Sequence, residues 1–133
     1  MAKPITQILA SILLLSFCRI STGKPNTVVK SMLCNSSTYT KGYHFTISLA
    51  YILGQLESAT LLRLGYDLDN ISPYRTPFAY DHAACNQTLT SSDCVAYLAA
   101  AKTAMLVSCD GRIGAHGELY DCLVRYEQYP FDD

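Results

Sequence analysis

Cys85-Asn86-Gln87-Thr88-Leu89-Thr90-Ser91-Ser92-Asp93-Cys94-Val95-Ala96-Tyr97 is the stretch on which the reading of this chain turns. Two cysteines bracket eight residues that end in a run of helix starters. Ser91, Ser92 and Asp93 can each cap free helical amides, and Asp93 also suits the positive end of a helix dipole. A helix is therefore expected from near Ser91. Cys94, Leu98, Ala101 and Met105 recur along it at steps of three and four, the alanine-rich middle favours helix, and Asp110-Gly111 ends it. Outward from this stretch lie Cys34 on one side and Cys109 and Cys122 on the other. These five cysteines cannot all pair within one chain, so at least one is left over, and spacing alone does not say which.

Further out, Lys3 and the ten-residue apolar run Ile8 to Phe17 read as the start of a secretory leader. The run is short of the roughly 20 residues that span a bilayer, and Ser21-Thr22-Gly23 supplies the small residues of a cleavage site. Residues 1–23 are expected to be a signal peptide, with Cys18 inside it, and residues 24–133 a single secreted domain. Bulky Phe17 speaks against acylation of Cys18. No second apolar span is read after the leader. Export places the cysteines where bridges persist. Without Lys3 and Arg19 the remainder carries 8 basic and 11 acidic residues, a formal charge of −3. No basic run or patch marks it as a nucleic-acid binder. Asn35-Ser36-Ser37, Asn70-Ile71-Ser72 and Asn86-Gln87-Thr88 are glycan acceptor triplets in an exported eukaryotic protein.

There is no internal repeat or low-complexity tract. Phe45, Leu49, Ile52, Leu53 and Leu56 share one face of a helix expected over 44–58. Strands are expected over 28–35, around 64–68 and 77–84, and as a terminal antiparallel pair over 113–120 and 122–126. Two helices against an antiparallel sheet make an α+β domain.

Cys85-x8-Cys94-x2-Tyr97 resembles the C-x8-C-x2-C signature of the plant cysteine-rich secretory family, also called the salt-stress/antifungal family. Ile113-Gly114-Ala115-His116, Tyr120-Asp121-Cys122, Tyr126-Glu127-Gln128 and Cys34-Asn35 resemble that family's seed antifungal members. The resemblance spans residues 26–129. It implies two helices packed on a five-stranded antiparallel sheet. The family's three bridges would map here onto Cys34–Cys109, Cys85–Cys94 and position 97 with Cys122. Position 97 is tyrosine, so the resemblance implies two bridges and a free Cys122, with the Tyr97 ring leaning towards it.

The same resemblance implies a mannose site at Asn35, His116 and Glu127. Amide and carboxylate groups make directed hydrogen bonds to vicinal hydroxyls. His116 departs from the family's arginine, which removes a permanent charge and most of a donor fork, and leaves a side chain that gains a second donor in mildly acid medium. Asn35 carries two readings, as a sugar ligand or as a glycan carrier. The function expected is a secreted, apoplastic plant defence protein that binds mannose or fungal cell-wall mannan. The alternative is a non-lectin extracellular interaction or stress-signalling module. No cofactor or metal site is expected, because the cysteines are better explained as bridges. No catalytic signature surrounds Cys122, and His44 and His82 have no partner at a recognisable spacing, so the chain is not read as an enzyme. A monomer is expected, with Cys122 as the group that could join two copies.

Overall fold

The structure is a computed structural model that describes residues 26–74 and 77–133; the expected leader and its cleavage point lie outside the described residues. The chain runs β1 (Ser31–Cys34), α1 (His44–Ala59), two short 3-10 turns, β2 (Asp67–Ile71), β3 (Tyr80–Cys85), α2 (Ser91–Ser108), β4 (Gly114–Glu118) and β5 (Cys122–Glu127). The five strands form one antiparallel sheet in the order β1-β4-β5-β3-β2. Both helices pack on one face of it, the α+β arrangement expected.

The periodicities explain the layering. In α1, Phe45, Leu49, Ile52, Leu53 and Leu56 are all buried, and in α2 Cys94, Tyr97, Leu98, Ala101 and Met105 are. They meet Ala83, Ala115, Val124 and Tyr126 from the sheet. Each large apolar side chain so buried contributes about 1.5–3 kcal/mol. His44–Leu62 is apolar and long enough by composition to cross a membrane, but its apolar stripe faces this core.

Element ends depart from expectation for local reasons. Thr90, not Ser91, Ser92 or Asp93, caps α2: its hydroxyl oxygen accepts from the Asp93 amide at 3.2 Å, and its extended backbone (φ −68°, ψ 159°) is what a cap requires. Strand β2 begins at Asp67 rather than near Leu64. Gly65 and Tyr66 take left-handed φ values of 73° and 51°, which close a turn before the strand can start.

Among the described residues the bridges are Cys34–Cys109 and Cys85–Cys122, and Cys94 is the free, buried thiol. The first is the pairing that the resemblance implied. The second corrects the expected Cys85–Cys94 bridge and the expected free Cys122. Cys85 and Cys122 stand directly opposite each other in the β3–β5 register, with their Cα atoms 4.1 Å apart. With tyrosine at position 97, Cys122 has this cross-strand neighbour in place of a helix partner. Tyr97 reaches the end of β5 another way. Its hydroxyl donates to Asp121 Oδ2 at 3.2 Å and accepts from the Asn26 amide at 3.0 Å.

Candidate functional site

The sheet has one face under the helices and one away from them. On the open face, directly paired residues run Leu33, His116, Arg125, His82 and Asp69 across all five strands. One pairing step along, Gly114, Glu127 and Tyr80 form a second row. Strand alternation puts Arg125 and Glu127 on this face together, and His116 with Gly114.

Glu127 is the focus of the second row. Although it lies on the open face, it is only 5% exposed. Asn35, just beyond β1, donates its Nδ2 to Glu127 Oε2 at 3.3 Å, and Arg125 donates its Nε to Glu127 Oε1 at 3.4 Å. Asn35 is itself fixed. Its backbone amide donates to the Gly114 carbonyl, its Oδ1 accepts from the Ser37 amide, and its carbonyl accepts from Arg112 Nη1 at 2.9 Å. The neighbouring Cys34–Cys109 bridge ties this segment to the end of α2. Gly114 provides the space, since a Cβ there would collide with the Glu127 carboxylate.

The structure thus brings Asn35 and Glu127 into contact and sets His116 on the same face, opposite Arg125. Arg125, Arg112 and Gly114 went unnoticed in the sequence as parts of this cluster. The signal for Arg125 was available: it stands two residues before Glu127 on a strand, hence on the same face.

The chain end folds over this face. Arg125 stacks on Phe131, 4.1 Å from the ring centroid, and donates Nη1 to Asp133 at 2.9 Å. His82 is held between Asp67 and Asp133, 2.8 Å from each. Burial lowers the proton affinity of His82, but the Asp133 and Asp67 carboxylates outweigh it and hold the imidazole above its ordinary range. Asp67, Asp69 and His82 bring potential metal ligands within 4.8 Å of one another, yet both ring nitrogens of His82 are already engaged by carboxylates.

The other acceptor triplets differ in setting. Asn86 is exposed and caps its own turn, its Oδ1 accepting from Thr88. Asn70 lies within β2, where its Oδ1 accepts from the Ile71 amide. At the far end of the sheet an open pocket of about 390 Å³ is lined by Lys30, Cys85, Asn86, Tyr120, Asp121 and Cys122, among others.

These features define a disulfide-stapled α+β domain with a polar cluster on the sheet face opposite its helices. Residues 33–129 match the salt stress response/antifungal family, and the chain belongs to it. It is 36% identical over 109 residues to antifungal protein ginkbilobin-like protein 1 of Picea sitchensis, covering 80% of this chain and 81% of that one. It is 33% identical over 114 residues to antifungal protein ginkbilobin-2 of Ginkgo biloba, covering 84% of each. Among solved structures it is similar to the tandem DUF26 ectodomains of two Arabidopsis thaliana cysteine-rich receptor-like proteins. For PDLP5 the TM-score is 0.71 at 16% identity, over 77% of this chain and 51% of that one; for PDLP8 it is 0.65 at 28%, over 80% and 48%. The chain spans about half the length of these ectodomains.

Proposed function

We propose that this protein is a secreted plant defence protein that binds mannose, and through it fungal cell-wall mannan, by the cluster around Glu127. The observation that carries the reading is the direct Asn35–Glu127 contact across 92 residues of sequence, on the sheet face that the helices leave free. Antifungal activity is what the names of its relatives state. Glu127 supplies acceptors, while the Asn35 amide donates and accepts. His116 stands where the family's arginine would, and Arg125 across the strand pair brings a guanidinium to the same face. The activity is binding rather than catalysis, in the plant cell wall space. Because the Asn35 amide is turned onto Glu127, a glycan on Asn35 would break that contact. The ligand reading therefore competes directly with glycosylation.

Titration calorimetry of mannose into unglycosylated protein tests this. Wild type is expected to bind weakly, because His116 offers fewer fixed donors than an arginine. Glu127→Ala is expected to lose binding and His116→Arg to strengthen it. No heat in either wild type or His116→Arg would favour the non-lectin extracellular module, a reading supported by the likeness to receptor-like ectodomains.

A further inference from the structure

Away from the sugar cluster, three sulfurs meet. The Sγ atoms of Cys85, Cys94 and Cys122 lie within 4.8 Å of one another, at the junction of β3, β5 and the first turn of α2. Two of them form the cross-strand bridge, and the third is a free thiol with no exposed surface. The bridge sulfurs differ from the free one in access. Cys85 and Cys122, 7% and 5% exposed, are buried but line the open pocket at the β4–β5 turn, whereas Cys94, at 0%, does not.

We propose that these three cysteines form an intramolecular thiol–disulfide exchange site, in which the buried Cys94 displaces a strand cysteine from the bridge and turns a buried thiol into a pocket-facing one. The Cys94 sulfur bonds through a lone pair to Cys85 Sγ and gives up its proton to the departing sulfur within the cluster. The Cys85–Cys122 bond breaks, and its electron pair leaves on Cys122 Sγ, which takes up a proton. The mirror step on Cys122 releases Cys85. One disulfide and one thiol enter and one of each leaves, so neither oxidant nor reductant is consumed. Cys94 needs no large movement, because it already stands beside both sulfurs. The consequence is chemical: a thiol sealed from outside reagents is exchanged for one at the pocket wall, where an alkylating agent or a second disulfide can reach it.

The test is slow alkylation of the folded, unreduced protein with iodoacetamide, followed by peptide mapping without reduction. Cleavage before Asp93 separates Cys85 from Cys94, and cleavage before Asp121 separates Cys109 from Cys122. The adduct is expected on Cys122 or Cys85, with Cys94 in a bridge to the other. Cys94→Ser is expected to drop strand-cysteine labelling to background, and Cys94→Ala serves if the serine variant does not fold. Cys122→Ser is expected to fold with a Cys85–Cys94 bridge. An adduct confined to Cys94, no adduct after prolonged incubation, or undiminished strand-cysteine labelling without Cys94 would each overturn the exchange.

Discussion

At the scale of single residues, Glu127 and Gly114 are two halves of one feature. Gly114 stands opposite Glu127 in the β4–β5 register, and the carboxylate occupies the volume that any side chain at 114 would need. Gly114→Ala is expected to push the carboxylate off Asn35 and Arg125, to cost about 1–3 kcal/mol through overpacking, and to remove mannose binding. Urea unfolding followed by calorimetry checks it; wild-type stability with wild-type binding would show that the close approach is unimportant. Asp81 makes a different point. It is buried on the helix side of β3, and its carboxylate oxygens find no hydrogen-bond partner among the described residues. Burial first, and Asp69 second, push its pKa up from 3.8 to about 7 against the pull of His82. Between those values the folded state holds a proton that the unfolded chain has released, so stability falls as pH rises from about 4 to about 7, by on the order of 4 kcal/mol. Asp81→Asn is expected to flatten that slope in a series of melting temperatures. An unchanged slope would place the titration elsewhere.

At the scale of elements, α2 and the end of β5 are coupled through Tyr97 and the three sulfurs. Tyr97 fills the place from which the family's helix cysteine would reach Cys122, and its hydroxyl holds Asp121, the residue before Cys122. Tyr97→Cys supplies a fourth sulfur to a cluster that now holds one disulfide and one thiol. The expected outcome is two bridges, with Cys122 passing to the new thiol and Cys85 to Cys94. The variant should then titrate no free thiol and should resist urea more strongly than wild type, by about 2–4 kcal/mol if geometry is unstrained. A folded variant with two free thiols would show that residue 97 cannot reach Cys122. The element boundaries carry a related lesson. Helix faces were legible because burial repeats every three or four residues, while the start of β2 was not, because the left-handed backbone at Tyr66 has no composition signal of its own.

At the scale of the whole molecule, the two-layer architecture was readable from periodicity, and the five strands from apolar runs and turn residues, a count that family resemblance repeated. The bridge pattern was only half readable. Cys34–Cys109 followed the family, but Cys85 changed partner because losing the cysteine at 97 leaves Cys122 directly across the sheet from it, a proximity set by register and not by spacing along the chain. For the candidate site, resemblance supplied Asn35, His116 and Glu127. Arg125 could be placed with them from its position two residues before Glu127, but only the folded sheet brings Gly114 beside Glu127, since strand pairing decides which residues stand opposite each other. We propose recognition of mannose by this face and not by the pocket at the opposite end. Chemical-shift mapping of labelled, unglycosylated protein during mannose addition tests it most directly. Shifts are expected to gather at Asn35, Gly114, His116, Arg125 and Glu127, and to vanish in Glu127→Ala, while Leu119 to Cys122 stay fixed. Shifts centred on the Leu119–Cys122 pocket, or none at all in both wild type and His116→Arg, would contradict it.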